Sequence, residues 1–259
     1  MRVICFAILF ASTFAFSQNQ PQSQPASDGM AGMNISQGQS SNTHSMPGMD
    51  DTGAMQSMQS HHMDMGPHMK MTALRPLQPG DQQKADAIAQ AARTAAEKYE
   101  DYKVALADGF KIFLPNVPQK QYHFTNYRYA WEARNHFDPS KPTSLLYEKD
   151  GDGYKLVGVM YTAKKDATED ELNERIPLSI AQWHAHVNLC VPPRDNNKED
   201  VLPRSTKFGL RGSIATKEEC DAAGGRFFPQ VFGWMVHVYP FEKNAPDIWS
   251  VERQHEHMD

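Results

Sequence analysis

Trp183-His184-Ala185-His186-Val187-Asn188-Leu189-Cys190 alternates apolar and polar residues, the pattern of a strand with one face in a core. Trp183, Ala185, Val187 and Leu189 fall on one side, and His184, His186, Asn188 and Cys190 on the other. Val231-Phe-Gly-Trp-Met-Val-His-Val-Tyr239 reads as a second strand, with Met235, His237 and Tyr239 sharing a side. In one sheet, the imidazoles of His184, His186 and His237 can converge on a single metal ion. Neutral imidazole is the commonest metal-ligating side chain, and three of them leave an open coordination position. The same residues also serve as half-buried hydrogen-bonding groups or in metal-free acid–base work. The sequence leaves these uses open.

The rest of the folded region follows from this pair. Ser144 to Tyr161, turning at Asp150-Gly-Asp-Gly153, is the clearest hairpin. The turn resembles part of a calcium loop but lacks the later ligands and the distal glutamate. Ala85, Ile88, Ala92, Ala95, Tyr99, Tyr102 and Leu106 recur at spacings of three and four. They predict one long helix to about Asp108, with Asp81 as N-cap and Gly109 beyond its end. Tyr122 to Trp131 is dense in aromatics and reads as a strand passing into a short helix. His123, Glu132 and His136 in and after it are reserve site candidates. Thr168-Glu-Asp-Glu171 has capping-box spacing, and Thr216 caps a short helix bearing Cys220. The predicted fold is α+β: a long N-terminal helix packed on an antiparallel sheet of at least four strands, preceded by a disordered tail.

Residues 1–17 read as a cleavable export signal: Met1-Arg2, an apolar run Val3 to Phe16 too short to span a bilayer, and Ala15-Phe-Ser17. No cysteine stands at a lipoprotein cleavage position, and no later stretch is apolar enough to cross a membrane. Export implies a periplasmic or extracellular, oxidising setting. Cys190 and Cys220 are then expected to pair, closing a loop worth about 3–4 kcal/mol in the chain-entropy model. The competing use of Cys190 is as a thiolate ligand beside His184 and His186. The net charge of −5 becomes −6 once Arg2 leaves with the signal. Such a balance favours neither nucleic acid nor an anionic membrane as partner. No protein partner can be read from the chain.

Residues 18–75 form a low-complexity segment with too few aliphatic residues to offset its chain entropy. Ten of the fourteen methionines lie there, interleaved with His44, His61, His62 and His68. Thioether sulfur binds Cu(I), needs no deprotonation and forms no disulfides, so it works where thiolates are lost. The runs containing His44, Met46 and Met49, and His61, His62, Met63 and Met65, resemble the Met/His-rich segments of periplasmic copper-resistance proteins. That resemblance implies copper gathering. A plain solvated linker is the other reading. The globular domain is expected over 76–250, with a His-containing tail at 251–259.

No nucleophile elbow, phosphate-cradling glycine loop, dinucleotide fingerprint or haem motif is present. Tyr122-His-Phe-Thr-Asn126, His136-Phe-Asp-Pro139, Trp183-His-Ala-His186 and Gly233-Trp-Met-Val-His237 make residues 85–249 resemble a family of secreted bacterial proteins of unknown function. The family brings no mechanism with it. Three functions fit the residues. The first is an exported metal-binding protein for copper, or another transition metal, serving sequestration, delivery or resistance. The second is a secreted enzyme with a mononuclear His-ligated centre and a nearby acid such as Glu132. The third is a disulfide-stapled envelope or binding module with no metal in its fold.

Overall fold

The computed structural model describes residues 66–193 and 206–255. The expected signal, His44, His61, His62, Met46, Met49, Met63 and Met65 lie outside the described residues. In chain order the elements are β1 (Met69–Met71), α1 (Asp81–Glu97), α2 (Tyr102–Ala107), β2 (Lys111–Ile112), β3 (Gln121–Thr125), α3 (Tyr127–Glu132), β4 (Ser144–Asp150) and β5 (Gly153–Ala163). Then come α4 (Glu169–Arg175), β6 (His184–Val191), α5 (Lys217–Ala222), β7 (Arg226–Gln230), β8 (Trp234–Val238), α6 (Ala245–Ile248) and α7 (Val251–His255).

The strands form one antiparallel sheet in the order β1-β6-β8-β5-β4-β3-β2, with β7 pairing along the far half of β6. Folded chain thus begins before the expected start at Pro76. Met69 and Met71, read as part of the tail, are strand residues opposite His186 and His184. Strand alternation gives the sheet two faces. Tyr122, Phe124, Leu145, Tyr147, Val159, Tyr161, Trp183, Ala185, Trp234, Val236 and Val238 form the main core with Ala85, Ile88, Ala89, Ala92 and Ala96 of α1. The alanines let α1 pack closely on the sheet. The opposite face carries His123, Met160, His184, His186, Met235 and His237, which all border one cavity.

The single helix expected as far as Asp108 does not form. In a continuous helix the Tyr99 carbonyl would accept from the Lys103 N–H. Instead that N–H donates to the Asp101 carboxylate, and the Tyr99 carbonyl accepts the Tyr147 hydroxyl from β4 at 2.6 Å. The break shifts the buried face by one residue. Ala105 is buried, and Leu106, expected inside, is 40% exposed. Asp81 is not the N-cap either: Gly80 occupies that position, and the Asp81 carboxylate accepts from the Gln78 N–H and the Ser179 hydroxyl.

Local signals elsewhere match the structure. Asp150 pairs with Gly153 across the two-residue hairpin turn, and both Thr168 and Thr216 close capping boxes. Cys190 and Cys220 form a disulfide with Cα atoms 5.7 Å apart, fixing α5 to β6. The bridge is buried against Phe208 and Ile214, so Cys190 is not a thiolate ligand. A Cβ at Gly225 would come within 2.6 Å of the Cys190 sulfur, so the chain must run bare past the bridge. The double variant Cys190→Ala/Cys220→Ala is expected to lose about 3–4 kcal/mol of stability, the loop-entropy value for this spacing. Urea unfolding of oxidised parent and variant measures it, and matching midpoints would contradict the assignment.

Candidate metal centre

Three strands deliver four imidazoles to one place. The His184 ring lies 5.6 Å from that of His186 and 5.2 Å from that of His237, centroid to centroid. His123, on β3, places its Nε2 3.4 Å from the Nε2 of His237. The three histidines that alternation selected do converge, and the reserve candidate His123 joins them.

The meeting of His123 with His237 requires a curved sheet. Their strands are separated by β5 and β4, so a flat sheet would hold them about 14 Å apart at the usual strand spacing. Two features relieve the flatness. The β4–β5 register slips between Leu146 and Tyr147, a bulge that bends the strand. Gly158, facing that slip, has no room for a side chain: a Cβ would meet the Val238 carbonyl oxygen at 2.6 Å and the Tyr239 ring at 2.9 Å.

The 3.4 Å separation is informative. It is long for a hydrogen bond between two ring nitrogens. Two nitrogens bound tetrahedrally to one ion at the usual metal–nitrogen length sit about 3.3 Å apart. Even so, among the described residues no group of three or more His, Cys, Asp or Glu is already arranged to hold a metal ion. Closing the cluster on an ion takes side-chain rotation.

His184 and His237 are almost fully buried. Burial, reinforced by the charge His186 would carry, pushes the His123 pKa down to about 4. His123 is therefore neutral at ordinary pH. Methionines flank the cluster. Met235 stands opposite His184 and Met160 opposite His237, while Met71 and Met69 stand opposite His184 and His186 across the β1 edge. Directly opposed residues project to the same sheet face.

The remaining candidates lie apart. His68 is buried, with Nδ1 3.1 Å from the Asn188 carbonyl oxygen and Nε2 2.7 Å from that of Gly212. One ring N–H can donate to either carbonyl, tying β1 to β6 or to the 206–214 loop, and the ring stands apart from the four clustered histidines. Glu132 pairs with Lys141 at 3.0 Å on the surface, and His136 is exposed beyond it. Neither borders the cavity. Met160 escaped the sequence reading because only the β5–β8 pairing, which is not local, sets it beside His237.

No protein-family model, curated protein or solved structure matches the chain. The likeness to secreted bacterial proteins therefore rests on the quoted segments alone.

The His123 shift makes a pH prediction for the metal-free protein. The unfolded chain protonates this residue near 6.5 and the folded protein only near 4. Between these values the unfolded state binds more protons, so stability falls as pH is lowered through the window. At full extent this difference corresponds to on the order of 3 kcal/mol. Urea midpoints from pH 7 to 4.5 are expected to fall less steeply for His123→Gln than for the parent. Parallel curves would exclude this origin.

Proposed function

We propose that the protein is an exported metal-binding protein that holds copper at His123, His184, His186 and His237 and serves in its sequestration, delivery or resistance. The observation that carries this reading is the co-ligand spacing of His123 and His237, with the rings of His184 and His186 completing the group. Nothing in the fold's main core needs four imidazoles in contact.

Softness argues for copper over zinc. Every methionine between residues 72 and 257 borders the cavity with these histidines: Met160 and Met235. Thioether sulfur favours Cu(I), and imidazole accepts Cu(I) or Cu(II). The Met/His runs before residue 66 carry the same donor chemistry, which suits them to gathering the ion. The buried Cys190–Cys220 disulfide fits an oxidising compartment, where thioethers outlast thiolates as ligands.

A second reading is favoured by the cavity of about 1030 Å³ that reaches the histidines. A bound metal with an open position there could activate water or dioxygen. The acid expected for that chemistry, Glu132, is engaged elsewhere, and the cavity's one acidic lining residue is Asp166.

Titration of the full chain with Ag(I), Cu(I) and Zn(II) tests the proposal. The soft ions are expected to bind more tightly than Zn(II). His184→Ala and His237→Ala should each remove one tight site, leaving weaker binding to the Met/His runs. Serine at His44, His61, His62, Met46, Met49, Met63 and Met65 should do the reverse. A parent that holds no ion more tightly than the His184→Ala variant sinks the reading.

A further inference from the structure

The cavity above the histidines has walls and a mouth that the metal reading does not use. Leu114, Val117, Leu210 and Phe232 supply apolar surface to it. Leu114 and Phe232 remain 41% and 45% exposed at its mouth. Both adopt left-handed backbone, with φ of 49° and 48°, which bulky side chains rarely take. The Phe113 and Phe232 rings meet edge-on at 5.7 Å, joining the two loops that carry this strain. Large apolar groups held exposed on strained backbone beside a cavity mark a binding mouth.

The charge there is opposite to that of the chain. Lys120, Arg134, Lys164, Lys165 and Arg211 line the cavity against the single acid Asp166, although the whole chain is net −5. Three of these cations are engaged. Lys164 pairs with Glu171, Lys165 donates to the Gln230 carbonyl, and Arg134 lies over the Trp131 ring. Lys120 and Arg211 are exposed and have no ion pair among the described residues.

From this arrangement we propose that the cavity binds a small organic anion with an apolar, ring-sized body. The acid group pairs with Lys120 and Arg211 at the mouth. The body lies against Val117, Leu210 and Phe232, above the histidine floor. A cavity of this volume suits a ligand of that size, and a few placed polar groups on apolar walls give it orientation.

Two dyes with similar bodies test this: 8-anilinonaphthalene-1-sulfonate, which is anionic, and N-phenyl-1-naphthylamine, which is neutral. The full chain is first treated with chelator, so the result stands whether or not the histidines hold metal. One equivalent of the anionic dye is expected to bind, and more tightly than the neutral one. Lys120→Glu/Arg211→Glu should weaken the anionic dye about tenfold, the scale of lost and reversed exposed pairs, and leave the neutral dye unchanged. Val117→Trp, which crowds the wall against which the body lies, should weaken both. The proposal is overturned if the anionic dye does not bind, if charge reversal leaves its affinity unchanged, or if Val117→Trp spares both dyes.

Discussion

The curvature of one sheet is the constraint on which the site depends. Hydrogen-bonded strands hold their neighbours at fixed spacing, so side chains three strands apart do not meet across a flat surface. His123 and His237 meet because β4 slips register opposite β5 and because residue 158 has no side chain. The curl then makes one face concave and the other convex. The convex face takes the alanine-rich helix, which needs little depth. On the concave face Leu146, Met160, Met235 and Tyr239 pack together, and the cavity opens over the histidines and the two methionines. Architecture and chemistry thus share a cause at Leu146, Tyr147 and Gly158.

Burial sets the electrical character of that floor. An imidazole surrounded by apolar groups and other imidazoles is held neutral, as the depressed pKa of His123 shows. A neutral ring offers a lone pair, whereas a charged one repels cations. The methionines opposite His184 and His237 add polarizable sulfur without adding charge. The charged residues that line the cavity are mostly positive, five cations against Asp166. The cavity thus joins soft donors at the histidine floor to a lining that is mostly positive.

How much of this was legible depends on how local each signal is. The hairpin at Asp150–Gly153 and the Thr168 capping box are written within a few residues, and both form as read. The sides of the two histidine strands follow from alternation alone, and the β6–β8 pairing then brings His184, His186 and His237 to a common face. At Tyr99 the helical periodicity continues but a Tyr147 hydroxyl from a distant strand claims the carbonyl, and the helix ends. Asp101, a capping residue inside the apparent helix, was the one local clue. The places of His123 and Met160 depend on sheet order and curl, which no short window contains. His68 was grouped with the tail by composition. In fact its two nitrogens face the carbonyls of Asn188 and Gly212, contacts more than a hundred positions away.

The short strand β1 has a further consequence. It lies at the end of the sheet and covers the rim of β6 at His184–His186, whose backbone would otherwise present unpaired amides and carbonyls there. Open rims of that kind recruit strands from other molecules. A boundary drawn at Pro76, where low-complexity sequence gives way to regular patterning, would cut β1 away and uncover the strand that carries His184 and His186. Three residues that look like the last of a methionine-rich tail are therefore part of the sheet, and the backbone that carries His184 and His186 is paired on both sides only while they remain attached.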